Sequence, residues 1–123
     1  MLLDEGFKLS PQLGNGELGV DIIASKRTIR YHIEVIGYKK TGPARSRDFY
    51  EVFFRAISRL NDGANKLVIA LPIQFRVGFR SRVNQYRIGW ERISKVIPEL
   101  SIWFVDIDKH YYERTTWRKC LKI

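Results

Sequence analysis

The spacing of the apolar residues along this chain changes repeatedly between that of a β-strand and that of an α-helix. Ile29–Tyr38 is rich in β-branched and aromatic residues, which favours a strand, and Leu18–Ala24 predicts the other arm of a hairpin. Lys66–Leu71 and Leu100–Ile107 are short apolar runs that are typical of strands in the middle of a sheet. These strands are separated by helical spacing, which favours a sheet covered by helices.

Two segments between these strands have the 3.6-residue apolar period of a helix. The first helix is predicted from Arg47 to about Asn61, with Ser46 as its N-cap. The second is predicted over Phe79–Ile97, and proline at position 98 ends it. With an edge strand at Phe7–Leu9, the predicted order is β-β-β-α-β-α-β. Crossovers through helices imply parallel strands, while the leading hairpin is antiparallel, so we predict an α/β fold with a mixed central sheet flanked by helices.

Length and composition fit one packed domain. The chain has 123 residues, of which 45% are hydrophobic, which suits a single core rather than a disordered chain. We predict one domain over residues 1–123, with a core at about 6–107 and a charged, aromatic tail at 108–123. The sequence has no apolar run of the roughly 18 residues that span a membrane, and its start lacks a signal-peptide pattern. Cys120 is a single cysteine, so we expect no internal disulfide, no role for this thiol, and a cytoplasmic location.

The charge of the chain favours a polyanionic partner. Lys and Arg number 22 against 13 Asp and Glu, which gives a formal charge of +9, and basic surfaces attract nucleic acid, here DNA. Two segments contain positive residues and no acid, KKTGPARSR at 39–47 and RVGFRSRVNQYR at 76–87. The residues predicted to contact phosphates are Lys39, Lys40, Arg45, Arg47, Arg76, Arg80, Arg82 and Arg87. The nearby aromatic residues are assigned to packing: Tyr38, Phe49, Phe75, Phe79 and Tyr86. A charged surface with no nucleic-acid role is the alternative.

Two carboxylates lie inside predicted strands among apolar neighbours, Asp21 in VDII and Glu34 in HIEVI. An ionised carboxylate at the centre of a strand is costly unless it is paired, hydrogen-bonded or bound to a metal. Paired across the hairpin, the two could share one divalent cation, because Mg²⁺ prefers hard oxygen ligands. The alternative is that both face solvent and pair with a basic residue such as Arg30, Arg47 or Lys39.

Strand alternation places His32, Glu34 and Ile36 on one face and Ile33 and Val35 on the other. If the second face is the core, Glu34 points outward into a cleft beside the hairpin. His32 could then be a third ligand or a proton carrier, and an ordinary hydrogen-bonded histidine is the alternative.

The run GELGVDIIASKRTIRYHIEVIGYKK, followed by DFYEVFFRAISRL, resembles the PD-(D/E)xK, or restriction-endonuclease-like, nuclease superfamily. In that family a strand bearing Asp precedes a hairpin strand with (D/E)-x-K, and a helix, a buried strand, a second helix and a final strand follow. Asp21 matches the family's Asp, with Val20 where proline is usual, and Glu34 matches the second acidic residue. Gly37 stands where glycine is frequent. The resemblance covers about residues 6–107 and implies a restriction-endonuclease-like core.

This resemblance implies a DNA endonuclease that uses Mg²⁺ or Mn²⁺ to hydrolyse phosphodiester bonds. Asp21, Glu34 and the backbone carbonyl of Val35 would hold the metal. The family's lysine would lie two residues after Glu34, where this chain has Ile36, which cannot position or activate water. Lys40 has the matching strand parity and is the catalytic candidate in its place. Other candidates for the missing positive charge are Lys26, Lys39, Arg47, Arg55 and Arg59.

Ile36 favours an alternative function, a nuclease fold that has lost catalysis and serves as a DNA-binding or assembly module. We also expect the family's first helix to be missing or truncated, because Met1–Glu5 are too few residues for a stable helix before Gly6. We therefore expect one face of the sheet to be partly uncovered, and a partner subunit or a second copy of the chain could cover it. Glu5 and Glu17 could be extra ligands, and solvated side chains are the alternative for both.

Overall fold

The computed structural model describes residues 2–10, 22–37 and 41–122. These residues form an α/β protein with one mixed six-stranded sheet and three α-helices. The strands are β1 (Lys8–Leu9), β2 (Ile22–Lys26), β3 (Ile29–Val35), β4 (Leu67–Pro72), β5 (Leu100–Asp106) and β6 (Tyr111–Thr116). The helices are α1 (Gly42–Ser58), α2 (Phe79–Gln85) and α3 (Arg87–Val96). Among the described residues, none of the helices is long and apolar enough to cross a membrane.

The strands lie side by side in the order in which they occur along the chain. β1, β2 and β3 form an antiparallel meander, β3, β4 and β5 are parallel, and β6 returns antiparallel to β5. Helix α1 connects β3 to β4, and α2 with α3 connects β4 to β5, as parallel neighbours require. The predicted mixed sheet is confirmed, and the restriction-endonuclease-like core stays a prediction.

Helix α1 begins earlier than the sequence pattern predicts. Thr41, rather than Ser46, is the N-cap, and its hydroxyl accepts a hydrogen bond from the backbone N–H of Ala44 at 3.3 Å. Pro43 lies in the first turn, where its missing N–H costs no helical hydrogen bond. Residues 42–47 of the first basic segment therefore form the first turns of α1.

The predicted second helix is divided into α2 and α3. The backbone at Tyr86 has φ −116° and ψ 30°, which is outside helical geometry, and α3 begins at the next residue. The apolar period passes through this position without a glycine or proline, so the sequence carries no signal for the break.

The main core lies between the sheet and the helices, and all three described helices contribute to it. Alternate residues of the two central strands point into it: Leu67, Ile69, Leu71, Leu100, Ile102 and Phe104. The helices contribute Phe49, Val52, Ala56, Phe79, Val83 and Trp90. Both crossovers advance in the same direction across the sheet, so right-handed connections place all three helices on one face.

The C-terminal tail is part of this core. Trp117 stacks on Trp90 of α3, with ring centroids 3.7 Å apart and planes 9° from parallel. Each indole N–H donates a hydrogen bond to the backbone carbonyl of the other tryptophan, at 2.8 and 2.9 Å. The core therefore extends beyond the expected limit at residue 107.

Cys120 is also buried in the main core, and burial raises the pKa of its thiol to about 12. Because the thiolate is the reactive form, we expect the folded protein to be almost unreactive toward Ellman's reagent at about pH 8. The rate should increase to that of a free thiol after unfolding in guanidinium chloride. Equal rates with and without denaturant would contradict this placement of Cys120.

The opposite face of the sheet carries a second, smaller apolar cluster and an open groove. The cluster consists of Phe7, Ala24, Ile33, Val68, Ala70 and Trp103. The groove has a volume of about 770 Å³ and lies over the carboxyl ends of β3, β4 and β5, where Val35, Pro72 and Asp106 border it. Since the described helices all pack on the other face, this face is partly uncovered as expected. That a partner subunit or a second copy covers it stays a prediction.

Candidate functional site

Glu34 lies in β3 on the face of the sheet that the helices cover. It pairs in register with Ile69 of β4, and only 1% of its surface is exposed. The prediction that Glu34 points outward is wrong, because its face of β3 is turned toward the main core. Ile33 instead lies in the smaller cluster, and Val35 is exposed beside the groove.

Arg59, directly after α1, supplies a positive charge beside Glu34. Its Nε atom lies 3.7 Å from Oε1 of Glu34, and the arginine side chain is 13% exposed. Its Nη1 atom lies 2.9 Å from Asp62, and Nη2 donates to the hydroxyl of Ser58 at 2.8 Å. A carboxylate that has lost its hydration needs such a partner. Of the candidate cations in the described part of the chain, Arg59 is the one placed against Glu34.

Ile36, at the position of the family's lysine, is buried in the main core. Its backbone N–H donates to the carbonyl of Ala70 at 3.3 Å, which continues the pairing between β3 and β4. Ile36 therefore contributes to packing and carries no charge. Any positive charge at the candidate site comes from another residue.

Lys26 and Glu5 have contacts away from Glu34. The Lys26 ammonium donates to the backbone carbonyl of Glu5, next to the hairpin. The Glu5 carboxylate accepts hydrogen bonds from the hydroxyl of Tyr112 and from Arg114. Both side chains thus tie the N-terminal residues to the sheet, and the structure does not bring them to the candidate site.

His32 shares a face with Glu34, two residues earlier in β3, and is partly buried. Burial lowers the pKa of His32, and the positive charge of Arg30 lowers it further, so the imidazole is neutral near pH 7. Its Nδ1 atom is buried and has no hydrogen-bond partner within residues 2–10, 22–37 and 41–122. Burial therefore disfavours protonation of this side chain, and its roles as ligand or proton carrier stay predictions.

Asp21 and Lys40, both predicted as catalytic, lie outside the described residues, as do Lys39 and Glu17. Asp21 comes directly before β2 in the sequence, and Glu34 directly follows Ile33. Ile22, the first residue of β2, pairs with Ile33. Each of the two acidic residues is therefore next in the sequence to one member of the Ile22–Ile33 pair, which the sheet brings together.

The described part of the candidate site offers one carboxylate and a competing cation. No group of three or more His, Cys, Asp or Glu side chains that could hold a metal occurs among the described residues. A divalent cation at Glu34 would meet the guanidinium of Arg59, and two cations at one carboxylate repel each other. Asp21, the predicted second ligand, lies outside the described residues, so the metal site stays a prediction.

The two basic segments meet where α1 and α2 come together. Arg82 of α2 donates to the hydroxyl of Ser46 in α1 at 3.0 Å, which places it beside the turn that contains Arg45 and Arg47. Arg80 is exposed on α2. The structure therefore brings part of the predicted phosphate-contacting set together.

Arg76 and Arg87 have contacts elsewhere. Arg76 forms an ion pair with Glu113 of β6 at 2.8 Å. Arg87 donates to the side chain of Asn84 at 2.9 Å and to the carbonyl of Leu121 at 3.2 Å. These contacts connect Arg76 to β6 and Arg87 to the C-terminal turn, and that both contact phosphates stays a prediction.

The aromatic residues near the basic segments divide into two sets. Phe49, Phe75 and Phe79 are buried, which confirms their assignment to packing. The same assignment is wrong for Tyr86, which is 45% exposed, and Tyr38 lies outside the described residues. Tyr50, which is 43% exposed, was not among the aromatic residues predicted near these segments. The hydroxyl oxygens of Tyr50 and Tyr86 are 2.9 Å apart.

No protein-family model, no curated protein and no solved structure matches this chain. The family resemblance therefore depends on the short motifs and on the order of the elements.

Proposed function

We propose that this chain is a DNA-binding protein with a PD-(D/E)xK-type core that hydrolyses phosphodiester bonds with Mg²⁺ or Mn²⁺ in the cytoplasm. The observation that supports this most is the register of the hairpin, in which Ile22 pairs with Ile33. In the sequence, Asp21 is next to Ile22 and Glu34 is next to Ile33. The parallel strands and helices that follow have the order expected for such a core.

In this proposal Asp21, Glu34 and the Val35 carbonyl hold the cation. A cation held there would supply polarisation of the phosphodiester and a lower pKa for an attacking water. Arg59 controls access to Glu34, because its guanidinium lies beside the carboxylate. Lys40 provides the positive charge that Ile36 cannot. Arg45, Arg47, Arg80 and Arg82 contact the DNA phosphates.

Two observations favour a second function, a catalytically inactive DNA-binding or assembly module. The residue at the lysine position, Ile36, is packed into the main core, and Arg59 balances the charge of Glu34 without a metal. In this case the carboxylates have a structural role, and DNA binding depends on the arginines alone.

Cleavage of DNA separates the two functions. We expect the wild-type protein to cut circular, linear or branched DNA when Mg²⁺ or Mn²⁺ is present and to lose this activity in EDTA. A wild-type protein that binds these DNAs and cuts none of them would support the inactive module. Activity gained only by Ile36→Lys would show that the fold holds the substrate but lacks the catalytic group. Binding that does not weaken with rising salt would contradict both functions, because phosphate contacts release counterions.

A further inference from the structure

We propose that one face of α1 and α2 binds unpaired bases, so that the substrate is single-stranded or branched DNA; this inference rests on the DNA-binding part of the proposed function. The face consists of Arg47, Tyr50 and Phe54 of α1, Arg82 of α2, and Tyr86 between α2 and α3, and we call it the aromatic–arginine surface. It is separate from the groove on the other face of the sheet.

Helical spacing aligns the three α1 residues. Positions 47, 50 and 54 follow one another at intervals of three and four, which places them along one stripe of the helix. Arg47 and Tyr50 are exposed, and Phe54 is 70% exposed. A different stripe of α1 packs against the main core, and it is formed by Phe49, Val52 and Ala56. The aromatic rings on the outer stripe are therefore not needed for the core.

Contacts between α1 and α2 hold the tyrosines in place. The rings of Tyr50 and Tyr86 are nearly perpendicular, at 87°, with centroids 6.4 Å apart, and their hydroxyl groups are within hydrogen-bond distance. The guanidinium of Arg82 lies 5.8 Å from the Tyr50 ring centroid and also bonds to Ser46. Side chains that are already ordered lose less conformational freedom when they bind a ligand.

The chemistry of this surface fits unpaired bases better than a duplex. Every base has a flat face that stacks on aromatic side chains, and removal of one such stack lowers affinity roughly five- to 100-fold. In a duplex these faces are covered by neighbouring base pairs, so only phosphates remain available to the arginines. Arg47 and Arg82 supply phosphate contacts, and the sequence of α2, FRSRVNQ, contains no acidic residue. In α1 the exposed Glu51 lies one turn after Arg47, so phosphates are expected on the α2 side of this face.

The test compares fluorescence anisotropy titrations of wild type and variants with a labelled single strand, its duplex and a branched junction. Wild type should bind the single strand or the junction more tightly than the duplex. Phe54→Ala and Tyr86→Ala should each weaken binding of unpaired DNA by about fivefold or more and leave duplex binding nearly unchanged. Tyr111→Ala is the matched control, since Tyr111 is an exposed tyrosine at the start of β6. Circular dichroism establishes that each variant is folded.

Several outcomes would overturn the inference. If the aromatic variants lost duplex and single-strand binding equally, the surface would contact DNA without preference for unpaired bases. If they lost neither, the surface would not contact DNA. Duplex binding by wild type with no preference for unpaired DNA would overturn the inference but leave the proposed function intact. Failure of wild type to bind any of the three DNAs would overturn both.

Discussion

Replacing Trp117 with alanine should lower the free energy of unfolding by about 3–5 kcal/mol. The indole stacks on Trp90 at 3.7 Å between centroids, and each of the two residues bonds to the carbonyl of the other. The substitution removes a large buried side chain, opens a cavity beside α3, and leaves the Trp90 carbonyl without its indole donor. The C-terminal tail would then lose its main attachment to the helices.

Urea unfolding followed by circular dichroism measures this loss without depending on tryptophan fluorescence. Arg118→Ala is the control, because Arg118 is exposed next to Trp117, and its stability should change by less than about 0.5 kcal/mol. A loss below about 1 kcal/mol in Trp117→Ala would show that the tail does not belong to the core.

Replacing Arg59 with methionine should also destabilise the fold, by about 1–3 kcal/mol, because it removes one positive charge beside the buried Glu34 carboxylate. The double variant Arg59→Met with Glu34→Leu should regain most of this loss, since a buried ion pair can often be exchanged for apolar side chains without cost. Such a result would mean that folding does not require Glu34, and that its carboxylate is available for a function.

A double-mutant cycle of wild type, the two single variants and the double variant measures the interaction of the two residues. Arg55→Met, which changes an exposed arginine one turn earlier in α1, serves as the control and should have little effect. Single losses that add up in the double variant would contradict the pairing of Arg59 with Glu34.

The sequence predicts the order of the elements up to β5, because these strands and helices carry their own apolar periods, while β6 is not in the predicted order. β4 and β5 read as central strands because their residues are apolar on both faces, and they are buried in the structure. The face on which Glu34 lies could not be read in the same way. Alternation says which residues of β3 share a face, but β3 has apolar residues on both, so the pattern does not say which face the helices cover.

The partners of the candidate residues depend on contacts between distant parts of the chain. Arg59 reaches Glu34 from the end of α1, and Trp90 reaches Trp117 across 27 positions, without any local pattern that marks either contact. Tyr50 had a detectable signal, because it lies one helical turn after Arg47, outside the apolar stripe of α1. The residues of the proposed aromatic–arginine surface could therefore be predicted in part from the sequence, while the contact between Arg59 and Glu34 could not.

The most direct test of the proposed hydrolysis is cleavage of supercoiled plasmid in Mn²⁺ by wild type, Asp21→Ala and Glu34→Gln, with Asp108→Ala, an exposed acidic residue, as the control. All four proteins must first give folded circular dichroism spectra. The proposal predicts that wild type and Asp108→Ala cut at similar rates, and that each site variant is slower by on the order of 100-fold or more. Undiminished cleavage by Asp21→Ala and Glu34→Gln, or no cleavage by wild type on any DNA, would contradict it.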